Sequence, residues 1–144
     1  MIAVTRIDAD ELDASAVLDL YRSVGWSAYT KDPDALIGAL AGSSTVVVAR
    51  DGASGTDQLI GLARVISDGV SIAYLQDVLV RPDAQRGGLG RRLVEAALEP
   101  YSGVRQKVLL TDDEPAQRAF YESLGYSEIR DFGEGTLRAF VRFD

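Results

Sequence analysis

The stretch from Leu75 to Leu93, LQDVLVRPDAQRGGLGRRL, leaves this chain few ways to fold. An apolar, strand-like run passes into a tight loop, and the loop opens an amphipathic helix. Leu89, Leu93, Val94, Ala97 and Leu98 recur at helical spacing, while Arg91, Glu95 and Glu99 fall on the other face at i, i+4 intervals. The first turn of such a helix carries unpaired backbone N–H groups and the positive end of the helix dipole. Gly87, Gly88 and Gly90 let that backbone approach a ligand with no Cβ in the way. Arg86, Arg91 and Arg92 add positive charge. Together these features suit a diphosphate. A glycine-rich turn that merely starts an ordinary helix would carry the same three glycines.

Two other phosphate-binding patterns compete for the same residues. A Walker loop needs Gly-Lys-Ser or Gly-Lys-Thr, which the chain lacks. A dinucleotide fingerprint needs Gly or Ala where Leu93 stands. Asp112 does supply an acidic residue after the next strand, so that reading is weakened rather than removed. It also requires a parallel β-α-β opening.

The rest of the pattern argues against such an opening. Residues 2–7 read as a strand, 11–24 as a helix capped by Asp10, and 33–40 as a helix opened by Asp32-Pro33. Residues 44–50, 58–65 and 72–80 read as three successive antiparallel strands, the first two joined by a glycine-containing turn over 51–57. After the glycine turn come a helix over 89–101, a buried strand over 108–111 and a helix over 115–124 that Gly125 can end. Closing strands are expected over 126–129 and 136–143. The order is β-α-α-β-β-β-α-β-α-β-β, which predicts one mixed α+β domain over residues 1–144.

Composition narrows the chemistry. The chain has no cysteine and no histidine, so a thiol nucleophile, a disulfide and a histidine base are all excluded. A formal net charge of −7 argues against sequence-independent nucleic-acid binding. It is compatible with a cationic small-molecule substrate, although acidity also serves solubility. No metal is called for. No signal peptide or membrane-length apolar run is visible, which points to the cytoplasm.

Gln85-x-x-Gly88-x-Gly90, after Val80-x-Pro82, resembles the Q/R-x-x-G-x-G/A motif of the GNAT superfamily of N-acetyltransferases. The later Tyr121-x-x-Leu124-Gly125-Tyr126 resembles that family's second motif, and the element order agrees over nearly the whole chain. The resemblance implies a GNAT-like fold in which strands four and five splay apart. It implies acetyl-CoA as co-substrate, with Val78, Leu79 and Val80 pairing the pantetheine arm. Gln85, Arg86, Gly87, Gly88, Leu89, Gly90 and Arg91 would receive the pyrophosphate. It implies Tyr121 as the acid that protonates the departing thiolate. It places the acceptor amine near the first two helices, where Trp26 and Tyr29 sit. It also implies a homodimer, since the last two strands often form subunit contacts in relatives.

Some family positions depart from the pattern. Glu114 stands where many relatives carry an asparagine, and Leu109 where one group carries a catalytic glutamate. Candidates to take the amine proton are Asp77, Asp112, Asp113 or relayed water. Asp77 equally suits an aspartate that caps a bulge or pairs with a nearby arginine. With no cysteine, direct transfer to a primary amine, small-molecule or peptide, in a ternary complex is favoured. A non-catalytic acyl-CoA-binding module is the alternative, and a nucleotide-dependent oxidoreductase the least supported.

Overall fold

β-Branched residues concentrate in runs that become strands. A computed structural model, describing residues 1–53 and 55–144, joins β1 (Ile2–Ile7), β2 (Thr45–Asp51), β3 (Gln58–Ser67), β4 (Ile72–Val80) and β5 (Gln106–Leu109) into one sheet in sequence order. The first four strands are antiparallel, and β5 lies parallel to β4. A parallel neighbour demands a crossover, which α4 (Leu89–Leu98) provides. The turn expected over 51–57 includes Ser54, which lies outside the described residues.

The helices start where capping residues permit. Asp13 accepts the Ala16 N–H at 3.0 Å and starts α1 (Ala14–Ser23). The expected start near residue 11 is displaced because Asp8 and Glu11 cap a separate 3-10 turn over Ala9–Glu11. A four-residue helix, α2 (Ser27–Thr30), follows, and Asp32 caps α3 (Pro33–Ala41) by accepting the Ala35 N–H at 3.2 Å.

Alternation along the strands splits the core between two faces. Val46, Val48, Leu62 and Leu79 bury themselves against Val17, Leu20 and Tyr21 of α1 and Leu36 and Leu40 of α3. The opposite face takes α4, whose Leu89, Leu93, Val94 and Ala97 are buried. Contact there is close: a Cβ on Gly61 of β3 would stand 2.9 Å from Leu93 Cδ1 and 3.3 Å from the Leu79 carbonyl oxygen.

By residue contacts the chain divides into two compact units, Met1–Leu110 and Thr111–Asp144. The second is built on α5 (Pro115–Ser123). Arg118 pairs with Glu122 one turn on in the same helix at 2.8 Å and ties the helix to the residues that follow it through ion pairs with Asp131 at 2.6 Å and with Glu128. The strands expected over 126–129 and 136–143 do not form. Three consecutive left-handed residues, Gly133, Glu134 and Gly135, turn the chain between them, and among the described residues no strand pairs with either. Alternating apolar residues favour a strand only when a neighbour completes the ladder, and Phe140 stays 95% exposed. Among the described residues no helix is long and apolar enough to cross a membrane.

Gly61→Val should therefore push α4 off the sheet and cost about 1–3 kcal/mol. Urea unfolding followed by circular dichroism checks this, and an unchanged midpoint would show that the contact is looser than described.

Candidate active site

Two rows of main-chain groups run along β4, and only one is fully used. The Arg81 N–H donates to the Ile60 carbonyl at 2.8 Å, so residues 81 and 60 form a hydrogen-bonded pair across β3 and β4. Alternation then turns the amide and carbonyl of Leu79 toward β3, and those of Val78 and Val80 away from it. On that second side β5 accompanies β4 only from Ile72 to Leu75. Beyond Leu75 no strand covers this edge among the described residues. Of the three residues the resemblance offers for pairing the pantetheine arm, Leu79 turns its main-chain groups to the β3 ladder. Val78 and Val80 face the gap.

The glycine turn begins where this edge ends. Pro82–Ala84 form a 3-10 turn, and the Gln85 carboxamide reaches back to donate to the Val80 carbonyl at 3.1 Å. Arg86 then takes a left-handed conformation, φ 77°, which costs a non-glycine residue roughly 1–2 kcal/mol. Gly88 is also left-handed, φ 74°, and stands at the N-cap of α4 with no side-chain cap bond. First-turn N–H groups, which most helices satisfy with a capping side chain, are left to other acceptors. Gly87 is exposed and Leu89 buried, so the turn is anchored on one side and open on the other. Gly90 lies in the first turn. Arg91 pairs with Glu95 at 3.4 Å, and Arg92 donates to the Ile2 carbonyl at 3.2 Å, tying α4 to β1.

On the face covered by α1 to α3, a polar network lies beneath the strand. Arg64 and Asp77 are buried, with the Arg64 Nε 2.6 Å from Asp77 Oδ2. The same Asp77 oxygen accepts from the Tyr21 hydroxyl at 3.0 Å, and Oδ1 accepts from the Tyr29 hydroxyl at 2.8 Å. Arg64 also donates to Tyr29 Oη and Ser43 Oγ, both at 3.3 Å. Burial works to lower the Arg64 pKa, and the hydrogen bond and charge of Asp77 outweigh it, leaving it raised. Burial, reinforced by the Asp77 charge, pushes the Tyr21 phenol far above its ordinary value. Tyr74 is raised as well, by burial and then by Tyr29 and Asp77.

A β-bulge creates this arrangement. Arg64 pairs with Asp77 but Val65 pairs with Leu75, so Gln76 is an extra residue in β4. The shift brings Asp77 to the helix-covered face and leaves Gln76 exposed, its carboxamide donating to Tyr29 Oη at 3.3 Å. Asp77, which the sequence offers as a candidate for taking the amine proton, is thus placed beside a bulge and paired with an arginine, with both oxygens occupied. Trp26 and Tyr29 do come together, their ring centroids 6.2 Å apart, and each packs edge-on against Tyr21. Sequence reasoning missed Arg64 and Gln76, and it grouped Tyr21 with the aromatic residues near the acceptor without its bond to Asp77. One signal was available: Arg64 and Asp77 are lone charges in apolar runs on neighbouring hairpin strands.

In the second unit, Tyr121 lies on α5, half-buried, its ring edge-on to Phe120 and Tyr126 at centroid distances of 5.0 and 6.0 Å. Burial raises its pKa above the usual phenol range. Tyr126 is pushed up to about 12 by burial and by Tyr121, and its buried hydroxyl has no hydrogen-bond partner. Asp112, Asp113 and Glu114 are exposed, and Glu114 makes no side-chain cap to α5.

An open five-stranded mixed sheet whose fourth strand outruns its neighbour and leads to a glycine-capped helix start is consistent with an acetyltransferase domain. Comparison with known proteins agrees. The acetyltransferase (GNAT) domain family matches residues 42–128. A Gibberella zeae protein described as a candidate acetyltransferase is 38% identical over 76 residues, covering 51% of this chain and 42% of that protein. Serotonin N-acetyltransferase 2, a chloroplastic protein of Oryza sativa subsp. japonica, is 29% identical over 116 residues, covering 81% of this chain and 57% of its own length. The chain thus spans about half the length of these relatives. A GNAT family acetyltransferase of Streptococcus pneumoniae superposes with a TM-score of 0.83 at 28% identity, covering 100% of this chain and 98% of that one. The chain belongs to the GNAT acetyltransferase family.

Replacing Arg64 by Met should lower stability by about 3–5 kcal/mol, because Asp77 is left charged, buried and unpaired. Adding Asp77→Leu should recover much of that loss. Denaturant melts of the two variants check this, and a double variant no more stable than the single one would contradict it.

Proposed function

We propose that this chain moves the acetyl group of acetyl-CoA to a primary amine by direct attack in a ternary complex. The observation that carries the reading is the pair of outward-facing residues Val78 and Val80, which lead directly into the uncapped start of α4. A peptide-like arm can pair with an exposed strand edge. A diphosphate fits the N–H groups and dipole at the end of that edge. Acetyl-CoA carries both parts in one molecule.

In the proposed reaction the amine nitrogen attacks the thioester carbonyl carbon. An N–H of β4 stabilises the developing oxyanion, and the carbon–sulfur bond breaks. Tyr121 protonates the departing thiolate. Its half-buried phenol, held protonated by a raised pKa, supports that role. The attacking amine loses its own proton to water, because the Asp77 oxygens are engaged by Arg64, Tyr21 and Tyr29. No acyl-cysteine forms, since the chain has no cysteine.

The acceptor is assigned to the side of α1 and α2, where Trp26 and Tyr29 offer half-buried rings to an amine cation or a flat amine. The relative named for serotonin acetylation supports an aromatic amine among the small-molecule and peptide amines to test. Exposed Leu137, Phe140, Val141 and Phe143 support a homodimer formed through that segment.

Thiol release from acetyl-CoA across a panel of amines tests the reading. Tyr121→Phe should lower kcat by about 100-fold or more while leaving CoA affinity unchanged. Full activity in that variant would remove Tyr121 from the mechanism. Tight CoA binding with no turnover of any amine would favour a non-catalytic acyl-CoA-binding module.

A further inference from the structure

We propose that Gln76 positions the acceptor amine, its carboxamide oxygen accepting a hydrogen bond from an N–H of the incoming nitrogen. The proposal rests on the acetyl-transfer reading above and adds to it a residue that the family motifs do not mark.

Place in the fold is the first argument. Gln76 is the bulge residue of β4 and directly follows Leu75, the last residue paired with β5. It therefore sits at the closed end of the open edge that Val78 and Val80 continue. An arm entering from the glycine turn and running along that edge has its reactive end toward Gln76. Flanking residues Leu75 and Asp77 are buried, whereas Gln76 is exposed.

Orientation is the second. The Tyr29 hydroxyl gives its single proton to Asp77 Oδ1 at 2.8 Å, and Asp77 is itself held by Arg64. Toward Gln76, then, Tyr29 can only accept, and Gln76 Nε2 donates to it at 3.3 Å. A flipped carboxamide would set two oxygens against each other with no proton between them. The buried ion pair, acting through Tyr29, thus turns Gln76 Oε1 away from the network and leaves it for a donor arriving from outside.

Chemistry is the third. A neutral carboxamide oxygen can bind an amine through its N–H without trapping it as an ammonium ion. A carboxylate at the same place would favour the protonated form, whose nitrogen has no lone pair to attack with. Gln76→Glu should therefore move the kcat–pH profile to higher pH.

The test uses steady-state kinetics with the best acceptor found among tryptamine, spermidine and an aminoglycoside, with CoA affinity measured by calorimetry. Gln76→Leu should raise the amine KM at least tenfold, hold kcat within about threefold and leave CoA affinity unchanged. Tyr29→Phe should raise the amine KM in the same direction. The double variant should be no worse than Gln76→Leu by more than about twofold, because both changes disable one device. An unaltered amine KM in Gln76→Leu, or effects that multiply independently in the double variant, would overturn the Gln76 assignment and leave acetyl transfer standing. A wild-type chain that binds CoA and turns over no amine would remove acetyl transfer, and Gln76 with it.

Discussion

A strand has two rows of main-chain polar groups, and β4 satisfies them unequally. Its row toward β3 is paired on both sides of the bulge, while among the described residues no strand pairs its row toward β5 beyond Leu75, where the Val80 carbonyl is taken by the Gln85 carboxamide. Unpaired N–H and C=O groups on a strand edge attract another extended backbone, and proteins commonly cover or blunt such edges. Here the edge leads into a turn whose N-cap residue, Gly88, has no side chain with which to cap the helix start. Two unsatisfied features in series, one suited to amide pairing and one to anions, are economically explained by a single elongated ligand carrying both chemistries.

Beneath the same strand lies a feature of opposite character, in which nearly every polar group is engaged. Taking Arg64 and Asp77 out of water is costly, and buried ion pairs seldom add net stability over well-packed apolar residues. What this pair does supply is geometry. It fastens Tyr21 of α1 and Tyr29 of α2 to the bulge in β4, so the aromatic loop and the end of the open edge are held in one frame. One face of the bulge region is thus rigid and satisfied, and the edge beside it is open. That contrast separates the part that orients an acceptor from the part that receives the donor.

Much of this was legible in the sequence, for identifiable reasons. The bounds of β1 and β4 followed from apolar and β-branched runs, and α3 from Asp32-Pro33. The glycine turn stood out because Gly88 needs a left-handed conformation that other residues adopt at a cost. The bulge at Gln76 was hidden, since a one-residue insertion changes which face a side chain meets while altering the local composition hardly at all. From the sequence Asp77 suited either a carboxylate near the chemistry or the partner of an arginine at a bulge; in the structure it meets Arg64 and two tyrosines. Nor did the alternation over 136–143 disclose whether a neighbouring strand would be there to pair with it.

Amide hydrogen exchange read residue by residue, with and without CoA, distinguishes an edge kept open for this ligand from one that is already satisfied. Val78, Val80 and the amides of residues 87–90 should exchange quickly in the free protein and slow markedly when CoA is added, while Leu79 should be protected in both states. Unchanged exchange at Val78 and Val80 in a CoA-saturated sample, or equal protection of all three strand residues before CoA is added, would contradict it.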